Sequence, residues 1–494
     1  MHGRRVCLLF AAAGMLAAQL TTSQWDNART GANLHETVLT PANVNSHRFG
    51  KVFSLPVDGD IYAQPLYVPH LAIPAKGTFN VLFVATEHDS VYAFDADSGN
   101  TTPLWHTNFL KSGSVFTVAG EDVLCPFIQP EIGITPTPVI DLQTGTLYVL
   151  ARTKESGIPG FPRFVQRLHA LAITTGVEKF GGPVQIDARG FDSLRQLPRA
   201  GLLLTNDHLI LTWASSCDVK PYNGWVMAYD KRSLKQTAAF NTSPGSGESG
   251  IWQADMAPAA DDNGNIYVAT GNGRFVPHRD YGDSVLKLHI DSGNLTVRDS
   301  FTPPDQQALN ARDADIGSGG PMLLPHLVVT GGKNAILYIL DRDHMGNAVR
   351  TIRLGRGIYS ASAYWNGHVF ILASDDSLSD FKLDHDRFPD HPTAWGQHAF
   401  GNPGATPAIS ANGNRNGIVW IIETKAWNDF ENRPAVLHAY DASNVSRELY
   451  NSEENAARDR AGSALRFTVP TVVNGRVYVG TKGTVDVYSL IGGA

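Results

Sequence analysis

Cysteine is scarce in this 494-residue chain: Cys7, Cys125 and Cys217 are all it has. No Cys-x-x-Cys-His run and no zinc-type Cys/His spacing occurs, which excludes covalently attached haem and the short structural zinc modules. Runs of Lys and Arg are missing too, and the formal net charge is -7. Without a basic surface for phosphate contacts, nucleic acid is excluded as a partner. The chain has no phosphate-cradling glycine loop, no metalloprotease helix motif and no serine-hydrolase elbow, so several common enzyme classes are removed. Past its first residues it has no apolar run of membrane-spanning length, and no linker or composition shift splits off a second domain.

What is present begins with an export signal. Arg4 and Arg5 precede an apolar run from Val6 to Leu20 with small residues, so residues 1–23 read as a signal peptide and residues 24–494 as one domain. Cys7 lies inside the run rather than after it, which argues against lipidation. The expected location is secreted or periplasmic. Cys125 and Cys217 then form an even pair in an oxidising compartment, and either a bridge or two unpaired thiols fits the sequence.

Along the mature chain one unit recurs eight times. Its clearest copy runs from Ile61 to Phe109, with strand cores IYAQPLYV, VLFVAT and SVYAFD, a turn at Ala96 to Gly99, then PLWHTNF. Later copies keep the two middle strands best, as in TLYVLAR with RLHALAI, LILTWAS with GWVMAYD, and NIYVATG with SVLKLHI. First strands precede them at Thr137, Gly201, Trp252, Pro321, Ser360, Thr406 and Pro470. Short β-branched and aromatic strands punctuated by Gly, Asn and Asp at this period predict an all-β fold, an eight-bladed propeller of four-stranded antiparallel blades. The last copy stops after its third strand at Leu490, and a matching strand, GKVFSLP at 50–56, lies ahead of the first. Supplying the missing outer strand from the N-terminal side would close the ring and leave no open edge.

In such a ring the loops between second and third strands share a face with the connections between blades. Polar residues there should crowd one central mouth: Glu87, His88, Asp89, Glu121, Asp122, Glu131, Arg152, Lys154, Ser216, Asp218, Asn272, Asp313, Asp315, Lys333, Asp375 and Asp376, with Trp252, Cys125 and Cys217. Several carboxylates, an Asn and few cations make an oxygen-rich site for a hard cation such as Ca²⁺. Asp, Asn and Gly are also the residues that turns require for themselves.

Four segments in order, NIYVATGNG, YGDSVLKLHIDSG, RDADIGSGGP and GGKNAILYILDR, resemble the quinoprotein alcohol dehydrogenases, eight-bladed propellers that use pyrroloquinoline quinone (PQQ) and calcium. WDNARTGANLHETVLTPANVN resembles that family's approach to its first blade, and AFDADSGNTTPLW its tryptophan-docking turn. The chain is also similar to secreted bacterial PQQ-like propellers without assigned activity. The resemblance implies that Trp252 forms the floor under the quinone, that Lys333 contacts the quinone oxygens, and that Asp315 is the catalytic base. It also implies Asn272 as a cofactor and calcium ligand, with Asp315 and Asp218 completing the metal site. Asp218 stands where the family has a glutamate, Glu131 is a second candidate for that place, and the family's adjacent-cysteine pair is absent.

These features give an expected PQQ- and Ca²⁺-dependent dehydrogenase of small alcohols or sugars, passing electrons to a separate acceptor because the chain has no haem motif. Two alternatives stay open: a non-catalytic propeller acting as a binding or assembly scaffold, and a carbohydrate-active protein using the same mouth on a polysaccharide.

Overall fold

The computed structural model describes residues 18–158, 160–385, 387–427 and 431–492. Among the described residues eight blades of four antiparallel strands follow one another, with short extra strands added to the second, third and seventh sheets, and in the first seven blades the four strands run in sequence order from the axis outwards. They extend from Leu66–Ile73 to Trp105–Asn108, from Val139–Asp141 to Val184–Gln185, and from Leu203–Thr205 to Gln236–Asn241. The next three run from Ala259–Ala260 to Asn294–Phe301, from Met322–Leu323 to Ala348–Arg353, and from Ala363–Trp365 to Ala394–Ala399. Blade seven runs from Ala408–Asn412 to Glu448–Asn451. Middle strands such as Ser90–Asp95 and Trp225–Asp230 are buried on both faces until their last residue. They read as continuous apolar runs rather than alternating ones because a blade is covered by a neighbour on each side. The apolar clusters accordingly lie between blades: one joins Leu203, Ile210 and Val226 of blade three to Ile266, Val268 and Leu286 of blade four.

Blade eight is Thr471–Val473, Arg476–Thr481 and Thr484–Leu490, and its outer strand is Phe49–Pro56, as the repeat pattern predicts. Pairing runs from Phe49 opposite Leu490 to Pro56 opposite Thr484, with an irregularity between Lys51 and Phe53. Phe49 packs its ring 5.4 Å from that of Trp420, 5.0 Å from Tyr450 and 6.3 Å from Tyr488. The closing strand is thus held by aromatic packing as well as by the ladder.

One feature goes beyond the sequence expectation. The stretch from Leu20 to Asn33 touches the inner strands or their ends in all eight blades. Leu20 pairs with Tyr67 of blade one, and the carbonyls of Thr21, Asn27, Ala28, Thr30 and Gly31 accept from the amides of Ile140, Ala260, Leu323, Tyr364 and Ile409. The amides of Asn27 and Asn33 donate to the carbonyls of Leu204 and Val472, supplying blades three and eight. Arg29, wholly buried, locks this hub by donating to the carbonyls of Ser23, Asp26 and Pro258 and to the Thr22 hydroxyl. Of the expected export signal, residues 1–17 lie outside the described residues, while Leu20 to Ser23 belong to this hub.

Trp252, expected to open the first strand of blade four, lies in the connector instead; that strand is Ala259–Ala260. Positive φ at Gln253 and Asp255 turns the backbone away from extension. No helix among the described residues is long and apolar enough to cross a membrane.

Candidate functional site

The inter-blade connectors and the loops between second and third strands meet around a cavity of about 360 Å³. Of the predicted site residues, Trp252, Lys333 and Asp218 line it, together with Asp313, Ser216 and the Cys125 to Cys217 disulfide. That bridge, open at the sequence level, joins the connector after blade one to a loop of blade three over 5.5 Å between Cα atoms.

Asp315 and Asn272 sit behind this wall. Asp315 is fully buried; its Oδ1 accepts the Gly317 amide at 3.0 Å and its Oδ2 lies 2.7 Å from Lys333 Nζ. Lys333 Nζ also reaches Asp313 Oδ1 at 2.6 Å, and Asn272 Nδ2 donates to that same oxygen at 2.5 Å. Gly271 explains how these groups come so close: a Cβ there would stand 3.0 Å from the Trp252 ring and 3.4 Å from Asp315 Oδ1. Gly317 likewise lies against the backbone of Thr270, where a Cβ would be 2.4 Å from the carbonyl carbon. The glycines in TGNG and DIGSGG are therefore close-approach positions.

Burial works against the charge on Lys333, but Asp315 and Asp313 outweigh it and hold the ammonium well above the ordinary lysine range. Burial pushes the Asp315 carboxyl up, opposed by Lys333. Burial raises Asp218 as well, opposed by the Tyr222 hydroxyl that donates to it at 2.5 Å. Asp283, of the YGDS segment, is pushed up to about 7 by burial, opposed by its hydrogen bond from Gln306. The ammonium thus sits between two carboxylates, where it neutralises charge that a metal would otherwise balance.

The expectation of a mouth with few cations is corrected. Arg199 and Arg466 both line the cavity, sandwiched among aromatic faces: Arg199 over Tyr62 and Phe467, Arg466 over Phe127 at 4.2 Å and Trp427 at 4.4 Å. Burial lowers Arg466 to about 10. Nη2 of Arg199 is buried without a hydrogen-bond partner. The available signal was positional, since each arginine falls a few residues before an inner strand, Leu203–Thr205 or Thr471–Val473, on the connector that reaches the mouth.

Other predicted mouth residues stay out of the cavity. Glu87 accepts from the Gly133 amide and the Thr135 hydroxyl, and burial pushes it up to about 7. Glu131 pairs with His88 at 2.9 Å and so does not serve as the alternative ligand to Asp218. Lys154 pairs with Asp122 at 2.7 Å. Asp89 and Arg152 are buried, and neither they nor Glu121, Asp375 and Asp376 line the cavity.

The residues present fit a flat, anionic aromatic cofactor. The cavity offers an indole, three cations and an unpartnered guanidinium nitrogen. For calcium, Asn272 Oδ1 and Asp283 Oδ1 are buried without partners, although Lys333 already stands among the carboxylates.

No protein-family model matches the chain, and no curated protein sequence matches it. Among solved structures, it is similar to the quinohemoprotein alcohol dehydrogenase ADHIIG from Pseudomonas putida HK5, with a TM-score of 0.64 and 14% identity over 96% of this chain and 81% of the other. A europium-containing methanol dehydrogenase gives a TM-score of 0.63 and 13% identity over 96% of this chain and 98% of that one. BamB from Moraxella catarrhalis gives 0.52 and 15% identity, covering 89% and 99% respectively. At these identities the likeness concerns architecture: the chain shares the β-propeller fold of these structures.

Proposed function

We propose that this chain is a secreted, PQQ-dependent dehydrogenase acting on a small alcohol or sugar. The observation that carries the reading is the cavity itself, where Trp252, Lys333, Arg199 and Arg466 surround a space of about 360 Å³ on the propeller axis. PQQ bound there would supply a two-electron acceptor for hydride. Trp252 would offer the flat face, the two arginines would pair with its carboxylates, and Lys333 would keep positive charge beside its oxygens. Asp218, Asn272 and Asp315 would be the oxygen donors for Ca²⁺.

The proton of the substrate hydroxyl would go to the aspartates that flank Lys333. Asp313 faces the cavity and Asp315 stands behind it, so the ammonium stabilises whichever carboxylate is ionised. Electrons would leave to a separate acceptor. A disulfide on the cavity wall supports an oxidising, extracytoplasmic location.

A scaffold role is favoured by one observation: Lys333 already neutralises Asp313 and Asp315, so this arrangement is complete without a metal. PQQ binding to the purified mature protein, with and without Ca²⁺, followed by dye-linked oxidation of an alcohol and aldose panel, separates the readings. The dehydrogenase predicts calcium-dependent binding and turnover that Asp315→Asn abolishes. Absence of binding at high micromolar PQQ would leave the scaffold.

A further inference from the structure

Away from the mouth cavity, a second constellation lies where blades six and seven meet. Glu423 ends the second strand of blade seven, Arg415–Glu423, and His438 lies on its third, Val436–Asp441. Glu423 pairs with Val436 and Ile421 with His438, so Glu423 and His438 are diagonal neighbours on one face of that blade. His398, from the outer strand of blade six, Ala394–Ala399, reaches the same point. Their ligating atoms all lie within 4.8 Å of one another.

We propose that His398, Glu423 and His438 form a site for a divalent transition metal, with Zn²⁺ the best match. Glu423 Oε2 lies 3.2 Å from His398 Nε2 and 3.5 Å from His438 Nε2. Metal bonds of about 2.0 to 2.1 Å in a tetrahedron place donor atoms roughly 3.3 to 3.4 Å apart, so Glu423 is already spaced as a ligand from each imidazole, and the two imidazoles stand within 4.8 Å of each other. His438 is 3% exposed, and its Nε2 is held by the long 3.5 Å ion-pair approach to Glu423 Oε2, with no closer hydrogen bond among the described residues. A metal ion between the two would replace that long contact with two short bonds. On its other side, Nδ1 lies 2.6 Å from Glu448 Oε1, the carboxylate support that fixes a ligating imidazole. The Phe400 ring lies 4.6 Å from that of His398 and 5.0 Å from that of His438, which restricts both ligands.

Two imidazoles and one carboxylate suit Zn²⁺, and suit Ca²⁺ poorly because it prefers oxygen. His398, 35% exposed, gives the entry path and leaves a fourth position for water. Lys425 Nζ stands 2.9 Å from the other oxygen of Glu423, but that side chain is 56% exposed and is free to swing into solvent. Asn402 and Pro403, just after His398 in the chain, and Trp427, just after Glu423, line the cavity. A metal here would staple blades six and seven at the rim of the mouth.

The test is calorimetric titration of chelator-treated mature protein with Zn²⁺, with Co²⁺ absorption as a second readout. One equivalent should bind, and Co²⁺ should give the intense visible bands of a four-coordinate site. His398→Ala should weaken binding about 100-fold or more, and Glu448→Gln about 10- to 100-fold. Asp313→Asn and Asp315→Asn, both in the mouth, should leave the Zn²⁺ affinity and the Co²⁺ bands as they are, which separates this site from the mouth. Because His398 is partly exposed, its variant should fold, as circular dichroism would verify. No saturable Zn²⁺ binding at about 100 μM, or equal binding in His398→Ala, would overturn the proposal.

Discussion

At the scale of single residues, the centre of the propeller holds carboxyl groups that folding removes from water. Asp255 lies in the connector next to Trp252, accepts the Thr406 hydroxyl at 2.7 Å across the axis, and is pushed up to about 7 by burial, opposed by that hydrogen bond and by Arg199. Unfolded, it titrates near 4. Between those values the folded chain holds a proton that the unfolded chain has released, so stability falls as pH rises from about 4 to 7 and is then level. Glu87 and Asp283 act in the same direction, while His169, lowered by burial, opposes them below its ordinary value. Asp255→Asn should therefore flatten the profile, shrinking the loss between pH 5 and pH 7.5 by on the order of 2 kcal/mol in urea unfolding. An unchanged slope would mean that Asp255 is ionised in the native state. Asp255 drew no attention in the sequence because its neighbours looked like a strand. Lys333 was legible because it belongs to GGKNAILYILDR, one of four segments whose order carries a family pattern, whereas Trp252 was matched to a family position outside those segments and Asp218 to one where the family has a glutamate. Arg199 and Arg466 belong to no such segment, and only the convergence of connectors from blades three and eight brings them together.

At the scale of elements, the mouth is a set of loops, and loops have little intrinsic order. The Cys125 to Cys217 bridge compensates by closing a span of 92 residues and fixing the wall that carries Ser216 and Asp218. Restricting a loop of that size in the unfolded chain is worth about 4.6 kcal/mol in the chain-entropy account. Replacing both cysteines by serine should lower unfolding free energy by about that amount and weaken ligand binding in the mouth, read by urea titration and by PQQ binding. The single alternative outcome, full stability with intact binding, would show the wall to be held by the Glu121 to Glu131 segment itself. The strands were the readable part of each element because β-branched and aromatic runs with turn residues between them report local geometry directly. The hub from Leu20 to Asn33 was not readable. Its hydrogen bonds run to eight different blades, so no local periodicity marks it.

For the whole molecule, closure decides stability, since an open ring would expose the edge of blade eight. Phe49 anchors the closing strand against Trp420, Tyr450 and Tyr488. Phe49→Ala should cost about 3 to 5 kcal/mol and lower the melting temperature. A solvent-exposed position of the same strand, such as Val52→Ala, should have little effect. Equal losses in both would show that the ladder alone carries closure. The repeat count and the missing outer strand announced this architecture in the sequence, because each blade is a local unit whose pattern survives by itself. Tertiary structure decided what the sequence left open in the mouth: Arg199 and Arg466 beside Lys333, an ammonium between two aspartates, and the closing of the Cys125 to Cys217 bridge. The same holds for His398, Glu423 and His438, which come from two blades and share no short spacing. Blade formation depends on neighbours in sequence, whereas the chemistry of a propeller depends on side chains that only closure of the ring brings into contact.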